Sequence, residues 1–381
     1  MSDWIGAEAA SAQLGVRAQT LYAYVSRGRL QVRPDPSDPR RSLYRAADLA
    51  ALKARKSRSR KVADVAQGAI AWGEPVLASA ITTIVDGRLY YRGRDAVALA
   101  ETDTLEATAR LLRGGHGAAL KRSDRPKPPE GGDMRARAFA ALATRAGTDP
   151  TLLGRNPLGL AVEAATLLDV LTDAVVGDVE EGPIHMRLAI GWGSGGPSAD
   201  LIRRALVLLA DHELNASTFA ARVAASTGAS LAACALAGLA TLSGPRHGGA
   251  ATAMRNFALD TQRLGATVAV RTRLEEDRTI PGFGHQLYPG GDPRAAALLA
   301  GFEAPPHLAA LRTSVEGSTG LIANVDFALL ALAEFLALPQ DAPFILFAVA
   351  RCAGWIAHAI EQGQSGGLIR PRARYVGVEI A

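Results

Sequence analysis

The sequence predicts a mainly α-helical protein in which a small winged helix-turn-helix stands before a much larger helical body. Ala and Leu dominate the 381 residues and long runs of Val, Ile and Thr are few, which favours helices over strands. From Val62 onward, apolar positions recur in segments of roughly 10–20 residues with short connections. Charge is uneven. Residues 1–61 hold 13 Lys/Arg against 5 Asp/Glu, while the rest of the chain holds 29 against 32. A local cationic excess of that kind suits a polyanionic partner.

The N-terminal module, residues 1–56, is expected element by element. Ala7–Leu14 has helical spacing with Ala10 and Leu14 on one face, and Gly15-Val16 breaks it. Gln19–Ser26 gives a second short helix, Pro34–Pro39 a polar loop and Ser42–Arg45 a strand. Asp48 begins a third helix reaching about Lys56. Two short helices across a Gly-bearing turn, then a basic hairpin, make a winged helix-turn-helix pattern. The phrase AASAQLGVRAQTLYAYVSRGRL resembles the MerR/excisionase type of DNA-binding domain. That resemblance implies double-stranded DNA as a partner, with Arg17, Gln19, Thr20, Tyr22 and Tyr24 on or near the recognition helix. Arg40, Arg41 and Arg45 would meet phosphates from the wing. The alternative is a helical docking or oligomerisation module with solvated charge.

Residues 57–68 read as a basic linker and 69–381 as the main body. Ile81–Val85 and Arg88–Tyr91 flank Asp86-Gly87, a strong hairpin signal. Pro126–Asp133 is a loop. Trp192–Pro197 is Gly-rich but follows no strand, so it reads as a surface loop and not a dinucleotide site. The most apolar runs are Leu231–Leu242, Phe327–Leu338 and Pro343–Ile360. The first is too short for a bilayer, and the others carry Glu334 and Arg351, so all three are expected as buried helices. Met1–Gly6 leads into an amphipathic stretch, so no signal peptide and a cytoplasmic location are expected. Cys234 and Cys352 are the two cysteines, too few for a disulfide framework or a Cys-based zinc site.

Four polar islands interrupt the apolar helical sequence, and each is costly in a core unless it has a use. Residues 210–218 (ADHELNAST) read either as a helix entering a polar cavity or as a capped helix start, with Asp211 or Asn215 as cap. In residues 243–250 (SGPRHGGA), His247 lies between glycines at a helix N-terminus. The dipole there disfavours imidazolium, so a neutral ring could hydrogen-bond a forming enolate oxygen. Residues 280–294 place His285 after a tight Gly turn and Arg294 soon after; a long surface loop is the alternative. Asp326 directly precedes an apolar helix and by itself would be an N-cap. In the next helix Arg351 has no acidic residue at three or four positions' distance, so an anionic ligand is a candidate partner.

Together these islands resemble citrate synthase. The phrases that carry the resemblance are DHELNAST (211–218), SGPRHGGA (243–250), PGFGH…DPRA (281–295), NVDF (324–327), FAVARCAGWIAHAIEQ (347–362) and IRPRARY (369–375), with DGRLYYRGRD (86–95) as an opening hairpin. The resemblance implies large and small helical domains, the small one at about 215–320, and a homodimer. It implies Asp326 as the base that takes a methyl proton from acetyl-CoA, and His247 as the donor to the thioester oxygen. His285 would donate to the keto oxygen of oxaloacetate. His212, Arg294 and Arg351 would bind the oxaloacetate carboxylates, joined by Arg370 from the second subunit. A thioester α-proton is weakly acidic, so the developing oxyanion must be held as the carboxylate acts. No metal or other cofactor is implied beyond acyl-CoA as substrate. The sequence departs from the family at Leu209, where many members have His, and at Gln286 and Pro289, where basic residues are common. It departs again in FALLALAEF after Asp326, which lacks the usual Ser-Gly, and in its shorter enzyme part.

The expected function is therefore condensation of acetyl-CoA with oxaloacetate to citrate and CoA. The alternatives are 2-methylcitrate synthesis from propionyl-CoA, or a transcriptional regulator that senses a metabolite through the same fold.

Overall fold

The computed structural model describes residues 4–14, 16, 21, 24–25, 30–50, 52, 77–115, 131–177, 182–276, 278–373 and 375–378. It divides into two units, Met1–Ala78 and Ser79–Ala381.

In the first unit, β1 (Trp4–Gly6) leads into α1 (Ala7–Leu14), the helix that the apolar spacing predicts. β2 (Val32–Asp35) and β3 (Asp38–Arg45) complete an antiparallel sheet in the order β1-β3-β2, with Trp4 opposite Arg45 and Val32 opposite Tyr44. The polar loop expected at 34–39 shrinks to a turn between strands. The Asp35 carboxylate accepts from the Ser37 backbone N–H at 2.9 Å and from its hydroxyl at 2.8 Å, closing the reversal locally. Pro34 is tolerated because β2 is an edge strand. Ala10, Leu14, Leu21, Leu30, Tyr44 and Leu49 form a small core. The third helix starts at residue 46, and Asp48 accepts from the Gln31 backbone N–H at 3.0 Å instead of opening it. Arg17, Gln19, Thr20 and Tyr22 lie outside the described residues, as does the Arg40 side chain. Of the expected second helix, Leu21, Tyr24 and Val25 are described and helical, with Leu21 in the small core and Tyr24 and Val25 packed against it. Arg41 is exposed on β3, 3.3 Å from Asp38.

The second unit opens with β4 (Thr82–Val85) and β5 (Arg88–Tyr91), paired across Asp86-Gly87; β6 (Arg94–Asp95) adds a short edge. Asp86 and Gly87 have φ of 51° and 72°, the left-handed pair that a two-residue hairpin turn needs. Helices follow. α2 (Ala96–Thr102), α3 (Leu105–Leu112), α4 (Met134–Thr148), α5 (Pro157–Val176), α6 (Ile184–Gly191) and α7 (Gly196–Leu209) build much of the large core. α8 (Ala216–Ser226) and α9 (Leu231–Leu242) join it.

A second core, around Met254, Phe257, Leu308, Leu311 and Phe327, belongs to α10 (Ala250–Leu264), α11 (Ala266–Glu275), α13 (Pro306–Thr319) and α14 (Val325–Phe335). α12 (Pro293–Leu299) and the C-terminal α15 (Ala342–Ser365) return to the large core. α15 is long and apolar enough to cross a membrane by length and composition, yet it is almost wholly buried, against α3, α5, α7, α8, α9 and α14.

Candidate active site

Five helix ends and one helix middle bring the site residues together. α7 ends at Leu209, and residues 210–215 turn the chain into α8. Asn215 is the cap here, its Oδ1 accepting from the Thr218 N–H at 3.0 Å. Asp211 has a different task. It is fully buried, and His358 Nε2 on α15 lies 3.2 Å from its Oδ2. His358 Nδ1 in turn lies 2.9 Å from Arg222 Nη1, which also donates to Glu361 at 2.6 Å. The turn is pinned to the hairpin as well. Tyr91 Oη lies 3.1–3.2 Å from the carbonyls of Val207, Leu208 and Asp211, and Glu213, held at φ 52°, accepts from the Ile84 N–H at 2.9 Å.

This anchoring fixes His212. Its ring meets that of His285 edge-on at 5.2 Å, and Nε2 lies 2.9 Å from Tyr288 Oη. Burial, then the charges of Arg294 and Arg351, hold His212 well below the usual imidazole pKa.

His247 sits in the turn before α10. A Cβ on Gly249 would come within 2.7 Å of the Gly244 carbonyl oxygen, so the close turn depends on glycine. Burial first, then Arg351, lower the His247 pKa to about 4. Desolvation thus keeps the ring neutral, the same direction in which the helix N-terminus would act. Its Nε2 lies 2.9 Å from Ser217 Oγ. Ser217 also donates to Asn215 Oδ1 at 2.8 Å and accepts from Trp355 Nε1 at 3.1 Å.

The segment carrying His285 is stitched to the start of α14. Gly284 N–H donates to the Ile322 carbonyl at 2.8 Å, Asn324 N–H to the Gly282 carbonyl at 2.9 Å, and Asn324 Nδ2 to the Gly284 carbonyl at 3.0 Å. Gly282 and Gly284 have φ of 81° and 74°, which a side chain at either position would strain. The stitching holds the His285 segment against the helix end that carries Asp326. His285 Nδ1 accepts from the Leu287 N–H at 3.2 Å, which leaves Nε2 as the proton-bearing nitrogen of the neutral ring. Burial and Arg294 lower its pKa to about 4. Asp326 is not the cap. Asn324 caps α14 through Oδ1, accepting from the Asp326 N–H at 3.0 Å. The Asp326 carboxyl has no hydrogen-bond partner among the described residues, and burial raises its pKa to about 6 against the opposing pull of Arg294.

The two buried arginines differ. Arg294 is committed to Asp292 through Nε at 2.9 Å and Nη2 at 2.8 Å. Asp292 also caps α12 and accepts from the Val325 N–H at 3.1 Å, joining two helix starts. Arg351 donates from Nε to the carbonyl of Leu209 at 2.8 Å and lies over the Phe347 ring, while its buried Nη2 has no partner among the described residues. Burial lowers its pKa to about 10, opposed by Asp211. A buried N–H without an acceptor is costly, and an anion would satisfy it. Arg370 is exposed on the C-terminal segment. A cavity of about 460 Å³ borders the site, lined in part by Phe283, His285, Tyr288, Asp292, Leu321 and Ile322.

Sequence reasoning missed Ser217, Tyr288, Asp292 and His358. Ser217, Asp292 and His358 lie inside the matched phrases, but their roles are set by partners remote in the chain. No group of three metal-binding side chains occurs among the described residues.

A profile of the citrate synthase C-terminal domain matches residues 194–372. A Mycobacterium tuberculosis relative provisionally named citrate synthase 2 is 32% identical over 326 residues, which cover 76% of this chain and 87% of the relative. The chain belongs to the citrate synthase family. Citrate synthase of Haloferax volcanii is 40% identical over 191 residues, 47% of this chain, and the match spans only half of that relative's length. A 2-methylcitrate synthase of Corynebacterium glutamicum is 32% identical over 251 residues, covering 60% of this chain and 64% of its own. A crystal structure of the Thermotoga maritima citrate synthase superposes with a TM-score of 0.65 at 27% identity, over 81% of this chain and 95% of that one. Family membership supports the mainly α fold with large and small helical domains. Two departures from the family acquire a structural meaning. Leu209 is buried and its carbonyl holds Arg351, while Gln286 and Pro289 are exposed at the cavity.

Proposed function

We propose that this chain condenses acetyl-CoA with oxaloacetate to give citrate and CoA. The observation that carries this reading is a convergence. The His212 and His285 rings meet at 5.2 Å, the His285 segment is stitched to the helix start that carries Asp326, and Arg351 holds a buried Nη2 with no partner among the described residues. The charge pattern agrees. One carboxyl, Asp326, is raised to about 6, while His212, His247 and His285 are held neutral near two buried guanidiniums. That is the equipment for taking a weakly acidic proton while donating neutral hydrogen bonds to developing oxyanions. Asp326 removes the methyl proton, His247 donates to the thioester oxygen, and the enol carbon attacks the keto carbon as His285 Nε2–H donates to the keto oxygen. Hydrolysis of the resulting citryl thioester releases CoA. Arg351 Nη2 and the uncommitted side of Arg294 take the carboxylates, with His212 beside them. For His247 to donate from Nδ1, the Ser217 hydroxyl must turn its proton from Asn215 to Nε2.

The homodimer belongs to the same reading. Leu368, Tyr375, Val376 and Val378 are 60–84% exposed on the C-terminal segment, and Arg370 stands among them. A partner subunit would cover these side chains and receive Arg370. Kinship with 2-methylcitrate synthases makes propionyl-CoA the second acyl donor to test. The N-terminal unit supports DNA as a further partner through its hairpin, on which Arg33 and Arg41 are exposed.

The deciding assay follows free thiol from purified protein with oxaloacetate and either acetyl-CoA or propionyl-CoA. Turnover with acetyl-CoA that disappears in Asp326→Ala, with oxaloacetate binding retained, is expected. No thiol release with either donor, beside salt-dependent binding to a specific duplex, would make the regulator the correct reading.

A further inference from the structure

Tyr288 lies between His285 and Arg294 but has no part in the roles assigned above. Its side chain is 2% exposed. Its ring lies 4.8 Å from that of His285 and 5.5 Å from that of His212, and the Arg294 guanidinium carbon is 5.5 Å from its centroid. The backbone holds it firmly. Tyr288 N–H donates to the His285 carbonyl and Gly291 N–H to the Tyr288 carbonyl, both at 3.0 Å. The hydroxyl's one hydrogen-bond partner among the described residues is His212 Nε2, at 2.9 Å.

The proton in that bond can be placed. Burial pushes the phenol up to about 12, so it stays protonated, and His212 is held neutral with a single N–H. If His212 donated from Nε2, the phenol proton would be left without an acceptor in a buried site. Donation by Tyr288 spends it and leaves Nε2 as a lone pair. A neutral imidazole then carries its proton on Nδ1.

We propose that Tyr288 is a positioning residue for the 2-oxo dicarboxylic acid: its hydroxyl donates to His212 Nε2, fixes the imidazole proton on Nδ1, and so makes that N–H the donor His212 offers to a substrate carboxylate. The proposal rests on the condensing-enzyme reading in one respect, that His212 meets the oxo acid. Tyr288 also lines the cavity beside His285.

Tyr288→Phe keeps the ring and removes the hydroxyl. Calorimetric titration with oxaloacetate measures binding without any need for turnover, and the variant is expected to bind about 5- to 30-fold more weakly. In turnover, KM for the oxo acid should rise by a similar factor, while KM for acyl-CoA and kcat stay within about threefold. Nitrogen-15 shifts should report His212 of the unmodified protein as the Nδ1–H tautomer and a shift toward Nε2–H in Tyr288→Phe, an effect that loosened packing would not produce. Unchanged or tighter oxaloacetate binding in the variant overturns the proposal. So does an Nε2–H tautomer in the unmodified protein, a measurement that stands even if the variant fails to fold. If the unmodified protein binds oxaloacetate but releases no thiol, the condensing reading fails while the affinity comparison still judges Tyr288. If it binds no 2-oxo dicarboxylic acid, both fall.

Discussion

At the scale of single residues, Asp326 carries a conflict between stability and use. Its folded pKa of about 6 lies above the ordinary 3.8, so between those values the native state holds a proton that the unfolded chain has lost. Stability from this group is therefore highest at low pH, falls as pH rises from about 4 to 6, and stays reduced above. Asp326→Asn removes the charge at every pH. The variant should unfold at higher temperature than the natural protein at pH 8, by about 1–3 kcal/mol, and should be no more stable at pH 4. Its thiol release should vanish. In the natural protein, kcat/KM for the acyl-CoA should rise with an apparent pKa near 6, since the base must be ionised. Equal melting of the two proteins at pH 8, or a flat pH profile, would remove Asp326 from the role of buried base. The sequence reads Asp326 on its own as a cap, because nothing local tells that Asn324, two residues earlier, supplies the cap. The likeness to a known family, not local chemistry, brings Asp326 forward as the proposed base.

At the scale of elements, the site depends on how closely α15 approaches its neighbours. Gly238 on α9 faces Trp355 on α15, and a Cβ there would lie 2.5 Å from the indole ring. Trp355 is fully buried and donates to Ser217, the residue next to His247. Gly238→Ala must displace the indole or part the helices, at about 1–3 kcal/mol. Because the indole's hydrogen bond would move with it, thiol release should fall about tenfold or more. KM for oxaloacetate should change far less, since Arg294 and Arg351 are not touched. A loss of stability with kcat unchanged would show that Trp355 does not support His247. Such contacts explain what was legible at this scale. The Asp86-Gly87 hairpin and the apolar period of α15 are local and could be read directly. The burial of Tyr288 and the Asp292–Arg294 pairing with Val325 depend on segments 281–285 and 322–324 meeting, which no local pattern announces. Arg351 falls between. The sequence showed that no helical neighbour could pair with it, and the structure adds that a backbone carbonyl takes Nε and leaves Nη2 open.

At the scale of the whole molecule, Arg370 is exposed on the C-terminal segment, and the proposed site takes it as a further cation. If a partner subunit supplies it, two inactive variants can repair each other. A chain with Arg370→Ala retains its own Asp326, and a chain with Asp326→Asn retains its own Arg370. In a mixed dimer, the site on the first chain would take Asp326 from itself and Arg370 from its partner, and would be complete. The site on the second chain would lack both groups. Random exchange of equal amounts puts half the chains in mixed dimers, so about a quarter of the natural activity should return. Neither variant alone should exceed a few per cent under the same conditions. If Arg370 instead folded back to serve its own chain, each site in a mixed dimer would lack one group and mixing would restore nothing. The test therefore separates a site shared between subunits from one completed within a single chain. It requires subunit exchange, which a labelled-subunit control can establish. Recovery without exchange would point to a fault in one of the variants and not to sharing.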